Sequence, residues 1–322
     1  MDLPLADFLQ IDLPALLVAV LAGLCCGLPG NFLVLRRQSL IGDAMSHVVL
    51  PGIVVGYLLS GTLDTLPMLL GALSAALISA VLIEGIKRLG KIEAGAAMGV
   101  VFTSMFALGV LILEQTGASG VHLDVEHALY GNLESTLWLG LNNWQDLVSP
   151  SGLEQMPNSL QRLLGVCLLV ILLTVAFFKE LKISTFDPEM ASSLGFSARL
   201  ISIGLVIITA LSAVAAFDAV GSILVIAMFI CPAATARMWT DCLSRQLWLS
   251  AFFATLSGIT GYLVAAFGPL LLGADFALNA AGMIAVIACV FQGISMIFAP
   301  DHGKLGRVLK QRHALKMKQN LP

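Results

Sequence analysis

The sequence predicts an all-α protein, a polytopic transmembrane helical bundle of about nine spans, with counts of eight to ten fitting the same pattern. Three observations predict it. Of 322 residues, 58% are hydrophobic and only 11% are charged, against about 25% charged in a soluble domain. Mean hydropathy is +0.94, and the apolar residues gather into runs about long enough to cross a hydrocarbon core of ~30 Å as helices. The basic residues fall almost entirely on one side of the bundle those runs define. This composition excludes a soluble enzyme, a nucleic-acid binder and a disordered scaffold. Only helices or closed barrels satisfy the backbone in lipid, and runs this long are not barrel strands.

In order, the runs are Leu13–Leu35, Ile41–Leu59, Leu66–Ile86, Ala94–Leu113, Leu163–Phe178, Leu200–Phe217, Ala219–Met238, Leu247–Leu272 and Ala280–Phe298. Asp2, Asp7 and Asp12 precede the first run and no Lys or Arg does. The positive segment of a secretory signal peptide is therefore missing, and the first run is expected to stay in the mature protein. The eighth run is expected to break near Gly268-Pro269. Gly23/Gly27, Gly52/Gly56 and Gly95/Gly99 each lie four apart on one helix face, where backbones can approach closely. Six cysteines form no C-x-x-C or Cys/His spacing and read as small hydrophobes, with Cys242 in a polar loop.

Charge placement orients the bundle. With the Arg36–Arg37 turn in the cytoplasm and nine alternating spans, sixteen of the seventeen Lys and Arg residues fall on that side, leaving only Arg162 outside. Such a bias predicts the N-terminus outside and the C-terminus in the cytoplasm. The outer loop, about 114–162, is acidic, with Glu114, Asp124, Glu126, Glu134, Asp146 and Glu154. It is too long for a plain connector, and its part Val125–Leu139 is apolar enough to lie along the interface or re-enter. Residues 1–300 are read as one membrane domain, and 301–322 as a basic cytoplasmic tail that either anchors topology near anionic lipid or docks a partner.

Three stretches carry functional signals. Asp43 and His47 stand four apart and share a helix face. A carboxylate and an imidazole together make half a site for a divalent transition metal, and ionisable groups within a span are functional candidates. The competing reading is a polar pair that fixes a helix end. In the second stretch Asp187 can cap a short helix with Pro188 at its first position and Glu189 in its first turn, closed by Gly195 after Leu194. A cytoplasmic partner can grip such an element, although an ordinary capped connector has the same pattern. In the third, Pro232 removes a donor within a span, and Ala233 and Thr235 keep that helix slim, as in helices that line a pathway or pack at a kink.

Two further features bear on function. Gly85 to Lys91 matches the spacing of a phosphate loop, but Ile92 stands where Ser or Thr should meet Mg²⁺, and the segment follows a helix instead of a strand. Nucleotide hydrolysis would therefore belong to another subunit. His122 and His127 lie in the acidic outer loop, either gathering cations or simply solvated.

Together these stretches resemble the permease subunits of bacterial ATP-binding-cassette importers for manganese, zinc and iron. The family's L-R-R, then S-L-x-G-D-A-x-S-H, then Pro-Gly appear at Leu35–Arg37, Ser39–His47 and Pro51-Gly52. Its F-D-P-E-x-A-x-x-L-G appears at Phe186–Gly195, its P-A-A-T-A-R at Pro232–Arg237 after an unusual Cys231, and its Y-G-N at Tyr130–Asn132. Two departures are a segment from Leu141 to Ser159 that reads as an insertion and a long basic tail. The resemblance implies a type II importer-like permease in the bacterial inner membrane. It implies a second permease copy or paralogue, cytoplasmic ATPase subunits that hold the ATP, and an extracytoplasmic metal-binding protein. It implies that Asp43 and His47 meet a transported Mn, Zn or Fe ion, that Asp187–Gly195 couples to the ATPase, and that Pro232, Ala233 and Thr235 line the pathway. No bound cofactor and no nucleic acid are expected. The rival readings are a permease for a metal chelate such as a siderophore or cobalamin, an ion-gradient secondary transporter, and an intramembrane metalloenzyme. The last would need a H-E-x-x-H helix that is missing here.

Overall fold

The computed structural model describes residues 7–61, 65–115, 133–141, 143–147, 149–271, 273, 278–300 and 302–306. A π-helical turn, Phe8–Asp12, leads into α1, Leu13–Leu35. Then come α2 (Leu40–Ser60), α3 (Thr65–Gly90) and α4 (Ala94–Gln115). After a short α5 (Pro150–Glu154) follow α6 (Asn158–Ala176), α7 (Phe178–Phe186), α8 (Pro188–Ser193) and α9 (Ala198–Val220). The chain closes with α10 (Ser222–Trp239), α11 (Leu243–Leu271) and α12 (Ala280–Phe298). Among the described residues, nine helices are long and apolar enough to cross a membrane: α1–α4, α6 and α9–α12.

Local chemistry sets most boundaries. Gly61 takes a left-handed φ of 64° and stops α2. Gly221, at φ 78°, separates α9 from α10. The division between the sixth and seventh spans therefore falls three residues after Asp218, which α9 simply includes. Pro269 does not interrupt α11, which runs on to Leu271. It sits in the last turn, where only one carbonyl upstream loses its donor. The tight turns after α1 and α3 put two non-glycine residues, Arg37 and Lys91, at positive φ.

The central helix is α1, which packs against α6, α9, α10 and α11, while α2 packs against α3 and α4. Helix α9 touches α1, α2 and α3 and joins the two groups. In lipid there is little hydrophobic drive between helices, so close backbone contact supplies the attraction. A Cβ on Gly23 would meet Ala254 of α11 at 3.2 Å, and one on Gly27 would meet Ser250 at 3.5 Å. Gly30 lies on the Phe229 carbonyl of α10, and Gly52 and Gly71 face each other's carbonyls across α2 and α3. Gly56 continues that seam against Pro67. Gly95 and Gly99 behave differently: a Cβ there would meet nothing within 4 Å.

Buried polar contacts lock the register. Gln246 Nε2 of α11 donates to Asn31 Oδ1 of α1 at 3.0 Å, and Asn31 Nδ2 donates to the Gly27 carbonyl at 2.7 Å. Trp239 Nε1 donates to Ser295 Oγ at 3.0 Å, joining α10 to α12. At the end of the bundle away from Arg36, Tyr262 Oη donates to Asp12 Oδ1 at 2.8 Å.

The segment around 133–154 folds over that end. Trp138 is buried, its amide donates to the Gln10 carbonyl and its ring nitrogen to Gly152, each at 2.9 Å. The Ala280 amide at the start of α12 donates to Glu134 Oε1 at 2.8 Å. Leu133–Leu139 is thus a packed cover. Residues 116–132, with His122, His127 and Tyr130–Asn132, lie outside the described residues, as does the tail from 307 onward. Where the tail begins, His302 reaches Asp241 at 3.1 Å, and Asp241 also pairs with Arg237 at 2.8 Å.

Candidate functional site

Asp43 lies in the first turn of α2, where the helix dipole favours a carboxylate. One turn on, His47 brings its Nε2 to 3.7 Å from Asp43 Oδ1. That is too long for a hydrogen bond, so the pair does not consume its own lone pairs. An ion about 2.1 Å from each atom would subtend an angle of roughly 120° between them, within reach of a tetrahedral or distorted site. The pair is part-exposed, His47 at 26% and Asp43 at 38% of the side chain.

Helix α4 walls the imidazole. The His47 ring lies edge-on to Phe102, with centroids 4.9 Å apart, and to Phe106 at 5.6 Å. These two phenylalanines stand four apart and so share a face of α4. Gly95 and Gly99 fall on nearly the same face, because seven residues make about two turns. Higher up, α2 and α4 are in backbone contact, where a Cβ on Gly109 would sit 2.9 Å from Pro51 N. The two helices therefore meet at Pro51–Gly109 and leave open space at Gly99 and Gly95, with Asp43 and His47 between. Among the described residues no group of three or more His, Cys, Asp or Glu could hold a metal. Among the described residues, Asp43 and His47 are thus two candidate donors brought together.

The Phe186–Gly195 stretch forms as its sequence predicts. Asp187 Oδ1 accepts from the Met190 amide at 2.9 Å and caps α8, with Pro188 at the first position and Glu189 in the first turn. Gly195, at φ 86°, ends it, and the Phe196 amide returns to the Ala191 carbonyl at 3.0 Å. Ala191 is buried, while Phe186, Met190 and Leu194 are exposed. Arg36, at the end of α1, braces the preceding helix: Nε donates to Thr185 Oγ1 at 3.1 Å and Nη2 to Ser184 Oγ at 2.7 Å. Burial lowers the Arg36 pKa from its ordinary value, yet a guanidinium stays charged.

Pro232, Ala233 and Thr235 are all buried in α10, which runs unbroken through the proline. The Thr235 hydroxyl has no hydrogen-bond partner among the described residues. Sequence reasoning missed the Phe102/Phe106 wall and the Arg36 brace. The spacing of the two phenylalanines was a visible signal, but nothing local pairs α4 with α2 or residue 36 with residue 184.

The profile described as the ABC 3 transport family matches residues 8–143 and 154–299. The chain belongs to the ABC 3 transport family. This permease is 38% identical over 291 residues to a protein named manganese transport system membrane protein MntD, from Bacillus subtilis (strain 168), covering 90% of this chain and 93% of the relative. It is 41% identical over 307 residues to the zinc transport system membrane protein TroD of Treponema pallidum (strain Nichols), covering 95% and 79%. The solved structure of PsaBC from Streptococcus pneumoniae in complex with Fab superposes with a TM-score of 0.71 at 30% identity, covering 93% of this chain and 94% of that one. The chain is accordingly a multi-pass permease subunit of an ABC transporter, with ATP hydrolysis on a separate subunit. Residues 144–153, unmatched by the profile, fall inside the segment read as an insertion.

Proposed function

We propose that this permease imports a divalent transition-metal ion, manganese or zinc, by alternating access driven by ATP hydrolysis on its partner subunits. The observation that carries the reading is the Asp43/His47 pair, two metal-donor groups held 3.7 Å apart in a part-open, aromatic-walled gap within the membrane domain. The names of the relatives, manganese and zinc transport proteins, support the cargo class. Iron fits the same donor chemistry.

Two permeases, identical or paralogous, related by a two-fold axis would bring two such pairs together, giving two carboxylates and two imidazoles. That set offsets much of a 2+ charge, and its lack of thiolates lets the ion leave. On this reading the basic end of the bundle is cytoplasmic, the N-terminus is outside, and the end covered by residues 133–154 receives metal from an extracytoplasmic binding protein. Helix α8, with Asp187, Pro188, Glu189, Leu194 and Gly195, couples to the ATPase through its exposed Met190 and Leu194. Pro232, Ala233 and Thr235 line the pathway when α10 shifts against α1 and α11. The test is uptake of radiolabelled Mn, Zn and Fe by cells carrying the wild-type chain, Asp43→Ala or His47→Ala. Both variants should reach the membrane at normal abundance and take up no more metal than cells without the chain. Wild-type uptake by both would remove the site assignment.

A further inference from the structure

A cavity of about 520 Å³ opens at the basic end of the bundle, between the α1–α2 turn, α3, α7–α8 and α9. It lies within the roughly 300–1,000 Å³ range of ligand sites. Arg36, Arg37, Lys87 and Arg199 line it, with Glu84 as the one carboxylate among the described residues, 3.6 Å from Lys87. Arg37 is held at φ 57°, and so is committed to its place by the turn. Four cations against one carboxylate leave the cavity net positive, which favours an anion and repels a divalent cation. The cavity is therefore unsuited to the transported metal.

The deeper wall is apolar. One or two turns inward from Lys87 come Ile83 and Ala80, and inward from Arg199 come Ile203 and Val206. From there a second cleft, of about 220 Å³, continues between α3 and α9 past Leu77, Leu73 and Ala210, sharing Val206 with the first. A cationic mouth at the level of the helix ends, followed by an apolar groove toward the middle of the spans, has the chemistry of a phospholipid reversed.

We propose that cavity and groove bind one anionic phospholipid, its phosphodiester among Arg36, Arg37, Lys87 and Arg199 and an acyl chain along α3 and α9. The site is distinct from the Asp43/His47 pair. Ile41 and Met45 face the cavity, and each is two residues, about 200°, from Asp43 or His47 on α2. A bound headgroup would instead touch Arg36, which braces Thr185 and Ser184 beside Pro188 of α8.

The test uses the full-length, delipidated permease in nanodiscs of phosphatidylcholine with and without phosphatidylglycerol. Native mass spectrometry reads retained lipid and a thermal melt reads protection. Wild type should retain phosphatidylglycerol over phosphatidylcholine. Arg37→Gln/Arg199→Gln should retain it about thirtyfold less well, whereas Arg37→Lys/Arg199→Lys and the outlying Arg245→Gln should match wild type. Ser74→Trp, which fills the groove, should weaken the lipid and leave any binding of inorganic phosphate unchanged. If the double Gln variant fails to fold, Arg199→Gln alone should show part of the loss. Equal retention in wild type and the Gln variants overturns the proposal. Protection by inorganic phosphate equal to that by phosphatidylglycerol assigns the cavity to a free anion and overturns the lipid. Complete loss of retained phosphatidylglycerol on assembly with the ATPase assigns the arginines to a protein contact and overturns it as well.

Discussion

Gly52/Gly56 and Gly95/Gly99 have the same spacing and opposite fates. The first pair is pressed onto α3, Gly52 against the Gly71 carbonyl and Gly56 against Pro67. The second meets nothing within 4 Å among the described residues. A small-residue pair marks a helix face that a backbone can approach, and it does not name the partner. Here the difference has a consequence for the site. Helix α2 is packed backbone to backbone on its α3 side, while its α4 neighbour touches it at Pro51–Gly109 and leaves open space at Gly99 and Gly95. Asp43 and His47 sit on the closely packed helix, with His47 against Phe102 and Phe106 of α4.

The sharpest way to break the contrast is Gly52→Leu. The new side chain must displace the α3 backbone, an overpacking cost of about 3 kcal/mol or more. Folded protein recovered from membranes should fall severely, with uptake lost alongside it. Recovery at the wild-type melting temperature would mean the seam is not closed. Asp187→Ala should cost about 1 kcal/mol of local helix stability through the lost cap. It should weaken co-purification of the ATPase while Asp187→Asn, which still caps, preserves it. Gly95→Ala/Gly99→Ala should stabilise the isolated chain by about 0.5–1 kcal/mol per site through helix propensity. Destabilisation in the thermal melt would show instead that this face is packed. The smallest effect belongs to Cys242, where only labelling should change. The backbone N–H groups of Arg245 and Ser244, then the Arg245 and Lys182 charges, lower its pKa. Its thiolate therefore persists to lower pH than an ordinary thiol, and maleimide reaction should slow only below that range. A membrane-impermeant maleimide should reach Cys242 in inside-out vesicles and not in right-side-out ones. The reverse result would place the open end of the gap outside the cell.

Much of the fold was legible because its causes are local. The nine apolar runs correspond to nine long helices among the described residues, and the boundaries differ where a polar residue looks like a stop. The apolar runs part at Asp218, yet the chain turns only where Gly221 can adopt a positive φ. The fifth apolar run, Leu163–Phe178, leaves out the polar Asn158, Gln161 and Arg162, yet α6 starts at Asn158, after Pro157. Polar residues near a helix end still satisfy their backbones within the helix. Helix α8 was legible to the residue, since an Asp cap, a first-turn Pro and a closing Gly act within nine positions. The candidate site was half legible. Spacing put Asp43 and His47 on one face, but their phenylalanine wall depends on how α4 lies against α2.

The amino-acid sequence by itself determined that this is a helical membrane protein, where its helices run, and which end carries the positive charge. Those properties follow from side-chain hydropathy, caps and counting. Only the tertiary structure decided which glycines close a seam and which leave a gap, that Arg36 braces Ser184 and Thr185, and that four cations surround one cavity above an apolar groove. Each of these joins residues from separate helices, and helices that are apolar on nearly every side find their neighbours by the fit of backbone against backbone. No pattern along the chain records that fit.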